Sequence, residues 1–486
     1  MERILGHLKP SRVWEHFEDI CQVPRPSKKE EKILKFLIAF AEKNKLEWQQ
    51  DKVGNLLISK PASRGYENRQ SVVLQSHVDM VCEKNADTKH DFDHDPIVPR
   101  LDGNWVRGTG TTLGADDGIG IAVQLAILEA DQIEHGPLEC LFTVDEETGL
   151  TGAFALEKGF IKSRILLNLD SEDDGELFIG CAGGIDTLVT FPCTKTTPES
   201  NHLAYKISVT GLKGGHSGDD INKGRGNANK ILNRLLWNFQ KMFDIRLSEI
   251  QGGNLRNAIA REAFATFTMP QKYKADLREL FEKLSADIRD ELKTNEPGLA
   301  IACAETGMPD GLIDLNTQQN LFNALYACPH GVMAMSPDIP NLVETSTNLA
   351  SVKMTPSEII ISTSQRSSLE SGKRDLADMV ASVFTLAGAK VKHGDGYPGW
   401  KPNVNSPILG ITEMAYTSLF KEKPKVLAIH AGLECGLIGE KYPGIDMISY
   451  GPTIKGAHSP DEGIEIDTVQ KFWDLTLEVL KNIPKA

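Results

Sequence analysis

No run of this sequence is long and apolar enough to cross a bilayer, and its first residues, Met1-Glu-Arg-Ile-Leu-Gly-His-Leu-Lys9, lack the apolar centre of a secretory signal. A cytoplasmic location is the expectation. No Cys-x-x-Cys pair occurs among the eight cysteines, Cys21, Cys82, Cys140, Cys181, Cys193, Cys303, Cys328 and Cys435. Scattered through a long chain, several of them inside apolar runs, they read as buried free thiols rather than a disulfide framework. Positive charge is in deficit: the formal net charge is -14. That argues against nucleic acid or an anionic membrane surface as the main partner. Internal repeats and low-complexity tracts are missing as well. What remains is a chain of 486 residues, 40% hydrophobic and 25% charged, with length enough for two domains and more than one core.

Periodicity organises that length. Val13, Phe17, Ile20 and Cys21 mark one helix face, and Ile33, Phe36, Leu37 and Phe40 a second. Residues 45–60 read as a hairpin turning near Val53-Gly54-Asn55. Strand-like and helix-like segments then alternate to about residue 182, the pattern of an α/β layer. From 186 to 395 the character changes: strands are expected over 203–211, 257–269, 298–304 and 357–364, and helices over 226–243, 271–294, 315–327 and 373–387. The stretch 393–400 is the expected return linker. A helix at 406–420, strands at 426–429 and 445–449, and a closing helix at 466–482 then resume the first pattern. The expectation is a discontinuous α/β domain, 1–185 with 396–486, built on a mixed, mainly parallel sheet. A smaller α+β domain, 186–395, is inserted in it.

Acidic and histidine residues stand just after four apolar, strand-like runs. Val72-Val-Leu leads to His77 and Asp79, Leu138-Glu-Cys-Leu-Phe-Thr-Val to Glu146 and Glu147, Ile165-Leu-Leu-Asn-Leu to Asp170, and 445–450 through a glycine-containing loop to His458. In a parallel α/β sheet catalytic groups gather at the carboxyl ends of the strands, so residues remote in sequence converge there. A fifth acid, Asp116, lies where Leu113-Gly-Ala-Asp-Asp-Gly enters an apolar helical stretch. It reads either as an N-cap or as a carboxylate bridging two cations. Imidazoles with carboxylates, and no thiolates, suit zinc, manganese or cobalt; the expected site is a two-metal hydrolase centre. His77-x-Asp79 is weak alone, but a carboxylate that orients a ligating histidine is a common partnership. Glu146 and Glu147, taken as extended, would point to opposite faces, one toward metal and one toward substrate as a proton carrier. His90-Asp-Phe-Asp-His-Asp95 looks like a metal tract but lacks a preceding buried strand, and reads as a surface loop. In the inserted domain, His216 sits in the glycine-rich Gly211-Leu-Lys-Gly-Gly-His-Ser-Gly, suited to an oxyanion donor, and arginines beside Asn257 and at Arg366 suit a substrate carboxylate.

Taken together, Ser76-His-Val-Asp-Met-Val, Thr111-Thr-Leu-Gly-Ala-Asp-Asp-Gly-Ile-Gly, Glu146-Glu-Thr-Gly, Asn168-Leu-Asp-Ser-Glu, Asn254-Leu-Arg-Asn-Ala-Ile, His430-Ala-Gly-Leu-Glu-Cys-Gly and Gly456-Ala-His-Ser-Pro-Asp-Glu resemble the M20 metallopeptidases end to end. Within them the likeness is to the bacterial aminoacyl-histidine dipeptidases. The resemblance implies a dizinc dipeptidase, with cobalt or manganese able to substitute. Asp116 would bridge, His77 and Asp170 would hold one ion, and Glu147 and His458 the other. Glu146 would be the general base toward a metal-activated water, and Asp79 the partner that orients His77. His216, Asn257 and Arg366 would bind a dipeptide with a free C-terminal carboxylate, Xaa-His and carnosine-like substrates among them. The inserted domain would serve as lid and homodimer contact. Two alternatives share these residues: a deacylase of N-acyl amino acids, and a non-catalytic metal-binding protein, which would have no use for Glu146.

Overall fold

Short, uninterrupted apolar runs make the centre of the first unit. In the computed structural model, which describes residues 3–486, strands β1 (Glu47–Gln50), β2 (Leu56–Lys60), β3 (Val72–His77), β4 (Leu138–Thr143), β5 (Ile165–Asn168), β6 (Glu176–Cys181), β7 (Lys425–Ile429) and β8 (Asp446–Ser449) form one sheet. Met1 and Glu2, the head of the segment read for a signal, lie outside the described residues. The strand order is β1-β2-β4-β3-β5-β8-β6-β7. The sheet is mixed: β4, β3, β5 and β8 run parallel to their neighbours in that central block, while β1, β2 and β6 pair antiparallel. Every residue of β3, β4 and β5 is buried, as expected of parallel strands covered on both faces. The helix Ala115–Glu129 connects β3 toward β4 and is buried along almost its whole length, packing on the helix Ser11–Cys21. The helices Pro407–Phe420 and Ile466–Asn482 also pack together in this unit.

A second, four-stranded sheet escaped the sequence reading because its strands are very short. Its order is Ile454–Lys455, Gly463–Glu465, Trp105–Gly108, Pro99–Asp102. Gly463–Glu465 pairs with Trp105–Gly108, so the hairpin that carries His458 is tied to the segment that leads into Asp116.

The chain divides into two compact units, one of Met1–Gly180, Pro402–Ala428 and Leu433–Ala486, the other of Cys181–Lys401 with Ile429–Gly432. The division thus falls at 180/181 and 401/402, against the expected 185/186 and 395/396. The tetrapeptide 429–432 returns to the second unit because the Ala182 N–H donates to the carbonyls of Ile429 and Ala431. The second unit holds a nine-stranded antiparallel sheet. The helices Ala228–Met242, Lys274–Leu292, Leu315–Ala327 and Glu370–Leu386 contribute to its core, with Phe239, Phe267, Phe322 and Phe384 fully buried. Two expectations change here. The strand expected over 257–269 spans only Ala263–Pro270, because 257–259 give their backbone to a loop: Ser217 N–H donates to Asn257 O, and Ile259 N–H to Gly215 O. Val343–Met354, rich in serine and threonine, is a central strand that polarity concealed.

A half-buried imidazole makes this unit acid-sensitive. His330 Nδ1 accepts the Leu349 N–H at 3.3 Å, which requires a free lone pair. Burial, with the nearby Lys230 charge, pushes His330 down to about 4 from its ordinary 6.5. Between those values the unfolded chain binds the proton and the folded chain does not. Stability is therefore full above about pH 6.5 and falls as pH drops toward about pH 4. The urea midpoint of the parent should fall from about pH 7 to about pH 5 more steeply than that of His330→Asn; equal slopes would assign the acid sensitivity elsewhere.

Candidate metal centre

His77 ends β3, and the loops after β4, β5 and β8 bring acids and a second imidazole to it. Its Nε2 is 3.0 Å from Asp116 Oδ1 and 3.4 Å from Asp170 Oδ1. His458 Nε2 is 3.1 Å from the other oxygen of Asp116, Oδ2, and 3.0 Å from Glu147 Oε2. One carboxylate thus faces two histidines, one through each oxygen. The side chains that could hold a metal ion form His77, Asp116 and Asp170 on one side and Asp116, Glu147 and His458 on the other, with His77, Glu146 and Glu147 as an overlapping group. The structure brings together every expected ligand and the expected base.

Local backbone explains the placement. Asp116 has non-helical angles, φ -79° and ψ 112°, inside the span Ala115–Glu129, and the side-chain cap there is its neighbour's: Asp117 Oδ1 accepts the Gly120 N–H at 3.1 Å. The amides just before that cap are held from far along the chain. Glu462 accepts the N–H groups of Leu113 at 2.7 Å, Gly114 at 3.0 Å, Ala115 at 2.7 Å and Asp116 at 3.4 Å. An anion in that cradle of amides suits a helix N-terminus and leaves Asp116 free for other work. Glu146 and Glu147 are not extended: they open the helical turn Glu146–Gly149 after Asp145, which has φ 51°. The expectation that they face opposite ways fails because a helical turn separates neighbours by roughly 100° rather than 180°. Their N–H groups donate to Asp79, at 3.0 Å to Oδ1 and 3.2 Å to Oδ2.

Electrostatics separates settled anions from crowded ones. Burial opposes the charge on Asp79, but His77, the Ser27 hydroxyl at 2.8 Å and the Glu146 N–H hold its carboxyl down at about 2. Its Oδ1 lies 3.3 Å from His77 Nδ1. Burial likewise opposes the charge on Asp116, yet His458 and His77 hold it well below the carboxylate range. Hydrogen bonds to Asp116 and Glu147 push His458 up to about 11. Burial raises Asp170 to about 7, with Asp116 adding repulsion. Burial also pushes Glu146 well above its ordinary range; His77 opposes the rise and Asp170, Glu434 and Glu147 add to it.

The residues fit a pair of divalent cations. Each Nε2 faces carboxylate oxygens at contacts that only a proton or a cation makes favourable, and Glu147 Oε1 is buried without a hydrogen-bond partner. The donor set is nitrogen and oxygen alone. A third acidic group, Glu30, Asp79 and Asp145, contrasts with it. There Glu30 accepts the Lys28 and Asp145 N–H groups, and Asp145 accepts the hydroxyls of Thr148 and Thr151. Those carboxylates are satisfied by donors. His90 and His94 belong to none of the metal-compatible groups among the described residues; His94 instead pairs with Asp91 in an exposed loop.

The second unit holds the other expected residues. Arg366 is 7% exposed, and its guanidinium donates to Ser217 Oγ at 3.3 Å and to the Tyr397 hydroxyl at 2.8 Å. No described carboxylate lies within ion-pair distance of it. His216 Nδ1 is 3.0 Å from Asp219 Oδ2 and also faces the Gly218 and Asp219 N–H groups. Asn257 is exposed, on the loop whose carbonyl holds Ser217. Tyr397, Ser217 and Glu462 were not picked out from sequence, though Ser217 and Glu462 lie inside quoted motifs.

Carboxylates and imidazoles collected at the carboxyl ends of parallel strands, one aspartate facing both histidines, mark a hydrolase of the metal-dependent α/β class. The chain belongs to peptidase family M20/M25/M40, which it matches over residues 73–482. It is 43% identical over 480 residues to the cytosol non-specific dipeptidase of Escherichia coli (strain K12), covering 99% of each chain. It is also similar to the crystal structure of aminoacylhistidine dipeptidase from Vibrio alginolyticus, with 45% identity, a TM-score of 0.94, and 100% and 99% of the two chains covered. A tripeptidase from Staphylococcus aureus shares the fold, at 16% identity and a TM-score of 0.58 over 98% and 99% of the chains. No disulfide joins any of the eight cysteines, and no described helix is long and apolar enough to cross a membrane.

Removing the Glu462 carboxylate would leave a row of amide donors unsatisfied beside Asp116. Glu462→Ala should weaken metal retention by about 10–100-fold in competition with a chromophoric chelator. Parental retention in the folded variant would show that the cradle does not hold Asp116 in place.

Proposed function

We propose that this chain is a two-metal dipeptidase of the cytoplasm. It binds two divalent cations, zinc in the native enzyme with cobalt or manganese able to replace it, and hydrolyses short peptides with a free C-terminal carboxylate. The observation that carries this reading is Asp116, with one oxygen toward His77 and the other toward His458. In this reading His77 and Asp170 would hold one ion, Glu147 and His458 the other, and Asp116 would serve both. The bound cations would supply Lewis acidity toward water and the scissile carbonyl.

The chain's own groups carry the rest. Glu146 accepts the proton of the attacking water and returns it to the leaving amine; burial and neighbouring acids raise its affinity for that proton. Asp79, anchored by Ser27 and two backbone N–H groups, orients His77. Arg366 grips the substrate's terminal carboxylate. Its buried guanidinium has neutral partners only, and a buried cation without a counterion favours an incoming anion. Asn257 also binds substrate, and His216 donates to the developing oxyanion. The second unit acts as lid and as the contact of a homodimer. One similar protein bears the name of a non-specific dipeptidase and the other of an aminoacylhistidine dipeptidase. Xaa-His dipeptides, carnosine-like ones included, are therefore proposed as substrates within a wider dipeptide range.

The test is turnover of a dipeptide panel by metal-loaded protein, with N-acyl amino acids as the contrast; hydrolysis confined to the N-acyl compounds would overturn the dipeptidase reading. Glu146→Gln should keep two ions per chain and lose about 10²–10⁴-fold in turnover, whereas Glu147→Ala should lose metal first. Finding the reverse would exchange their roles. Arg366→Ala should lose its preference for dipeptides over their C-terminal amides. A variant as selective for the free acid as the parent would remove Arg366 from the carboxylate site.

A further inference from the structure

Beneath the ligand-bearing strand ends lies a buried polar row that the chemistry above does not use. The motif His430-Ala-Gly-Leu-Glu-Cys-Gly contains Glu434, the first residue of the helix Glu434–Lys441, which is fully buried. Its Oε2 accepts from Gln75 Nε2 and from Thr143 Oγ1, each at 2.7 Å. Gln75 Oε1 accepts from Asn168 Nδ2 at 2.6 Å, Asn168 Oδ1 accepts from the Ser449 hydroxyl, and Ser449 Oγ lies 2.6 Å from Ser171 Oγ. Gln75, Asn168 and Ser449 are register partners on β3, β5 and β8, and none has any exposure. The row therefore crosses the parallel centre of the sheet, with Thr143 extending it to β4.

Its position relative to the site is set by strand geometry. Gln75 precedes His77 by two residues, so the two side chains leave β3 on the same face. Asn168 precedes Asp170 by the same step, and Thr143 is the last residue of β4 before the Asp145-Glu146-Glu147 turn. Apolar side chains would fill this volume with less desolvation, and Glu434 Oε1 is buried with no hydrogen-bond partner. A stability role alone does not account for that cost. What a hydrogen-bonded row adds over an apolar one is fixed rotamers and fixed strand ends.

We infer that Glu434 is a positioning residue of the hydrolytic centre. By holding Gln75 and Thr143 it sets the ends of β3 and β4, and through Asn168 that of β5. His77, the Glu146–Glu147 turn and Asp170 project from those ends. The inference rests on the two-ion reading, and the experiment separates the two. The parent, Glu434→Leu, Glu434→Gln and Thr143→Val are loaded with Co²⁺. Stoichiometry, the visible absorption bands that report coordination geometry, melting temperature, kcat and KM for one dipeptide are then measured. Glu434→Leu should shift the cobalt bands and lose about 10–100-fold in kcat at nearly parental KM. Glu434→Gln, which keeps an acceptor for both donors, should recover most of the spectrum and rate, and Thr143→Val should move both by less than Glu434→Leu. Parental bands and kcat in folded Glu434→Leu overturn the inference; if that variant does not fold, the same result in Thr143→Val does so. A parent that binds fewer than two ions overturns the two-ion reading instead, whatever the variants do.

Discussion

The rest of this structure depends on one electrostatic constraint: several buried carboxylates share a small volume with two imidazoles. Asp116, Asp170, Glu146 and Glu147 crowd around His77 and His458, and burial drives Asp170 and Glu146 toward their protonated forms. Such a cluster is costly unless positive charge is added to it. Divalent cations are the compensation for which the donor geometry is suited, and Asp116, open to both histidines, is the place where two of them would share a ligand.

The same chain shows how acids are treated where no cation is wanted. Glu462 fills a cradle of backbone amides at the entry to the helix Ala115–Glu129, and Asp79 is saturated by a hydroxyl and two amides. Glu30 and Asp145 are likewise matched to donors. These satisfied anions surround the unsatisfied ones and hold their backbones. Rigidity of this kind matters because catalytic geometry tolerates little error, and strands and amide cradles hold position better than free loops do. In the second unit the logic is inverted: Arg366 is a buried cation whose hydrogen bonds go to neutral hydroxyls.

Much of this was legible because chemistry and periodicity coincide. Apolar runs followed at once by His77, Glu146, Glu147 and Asp170 announce parallel strands with functional ends. The helix pairs of the inserted unit show plainly in their apolar spacing. Strands such as Ile454–Lys455 and Gly463–Glu465 were illegible because so few residues carry no period, and Val343–Met354 because serine and threonine mask a buried strand. The Glu146–Glu147 pair was misread as extended. What turns it is Asp145 in a left-handed conformation after the strand, which nothing in the pattern of apolar residues encodes.

By itself, then, the sequence determined the α/β class, the interruption by a second unit, the nitrogen-and-oxygen donor set and its resemblance to a peptidase family. These follow from residue type and local period. Tertiary structure alone decided between Asp116 as helix cap and Asp116 as a carboxylate open to two histidines. The cap falls to the neighbouring Asp117, on the Gly120 N–H, while Glu462, hundreds of residues away, holds the amides of 113–116 and with them the Asp116 backbone. It also decided that Tyr397 and Ser217 aim Arg366, and that Glu434 underlies the strand ends. Those contacts join remote segments through hydrogen bonds whose partners no spacing along the chain specifies.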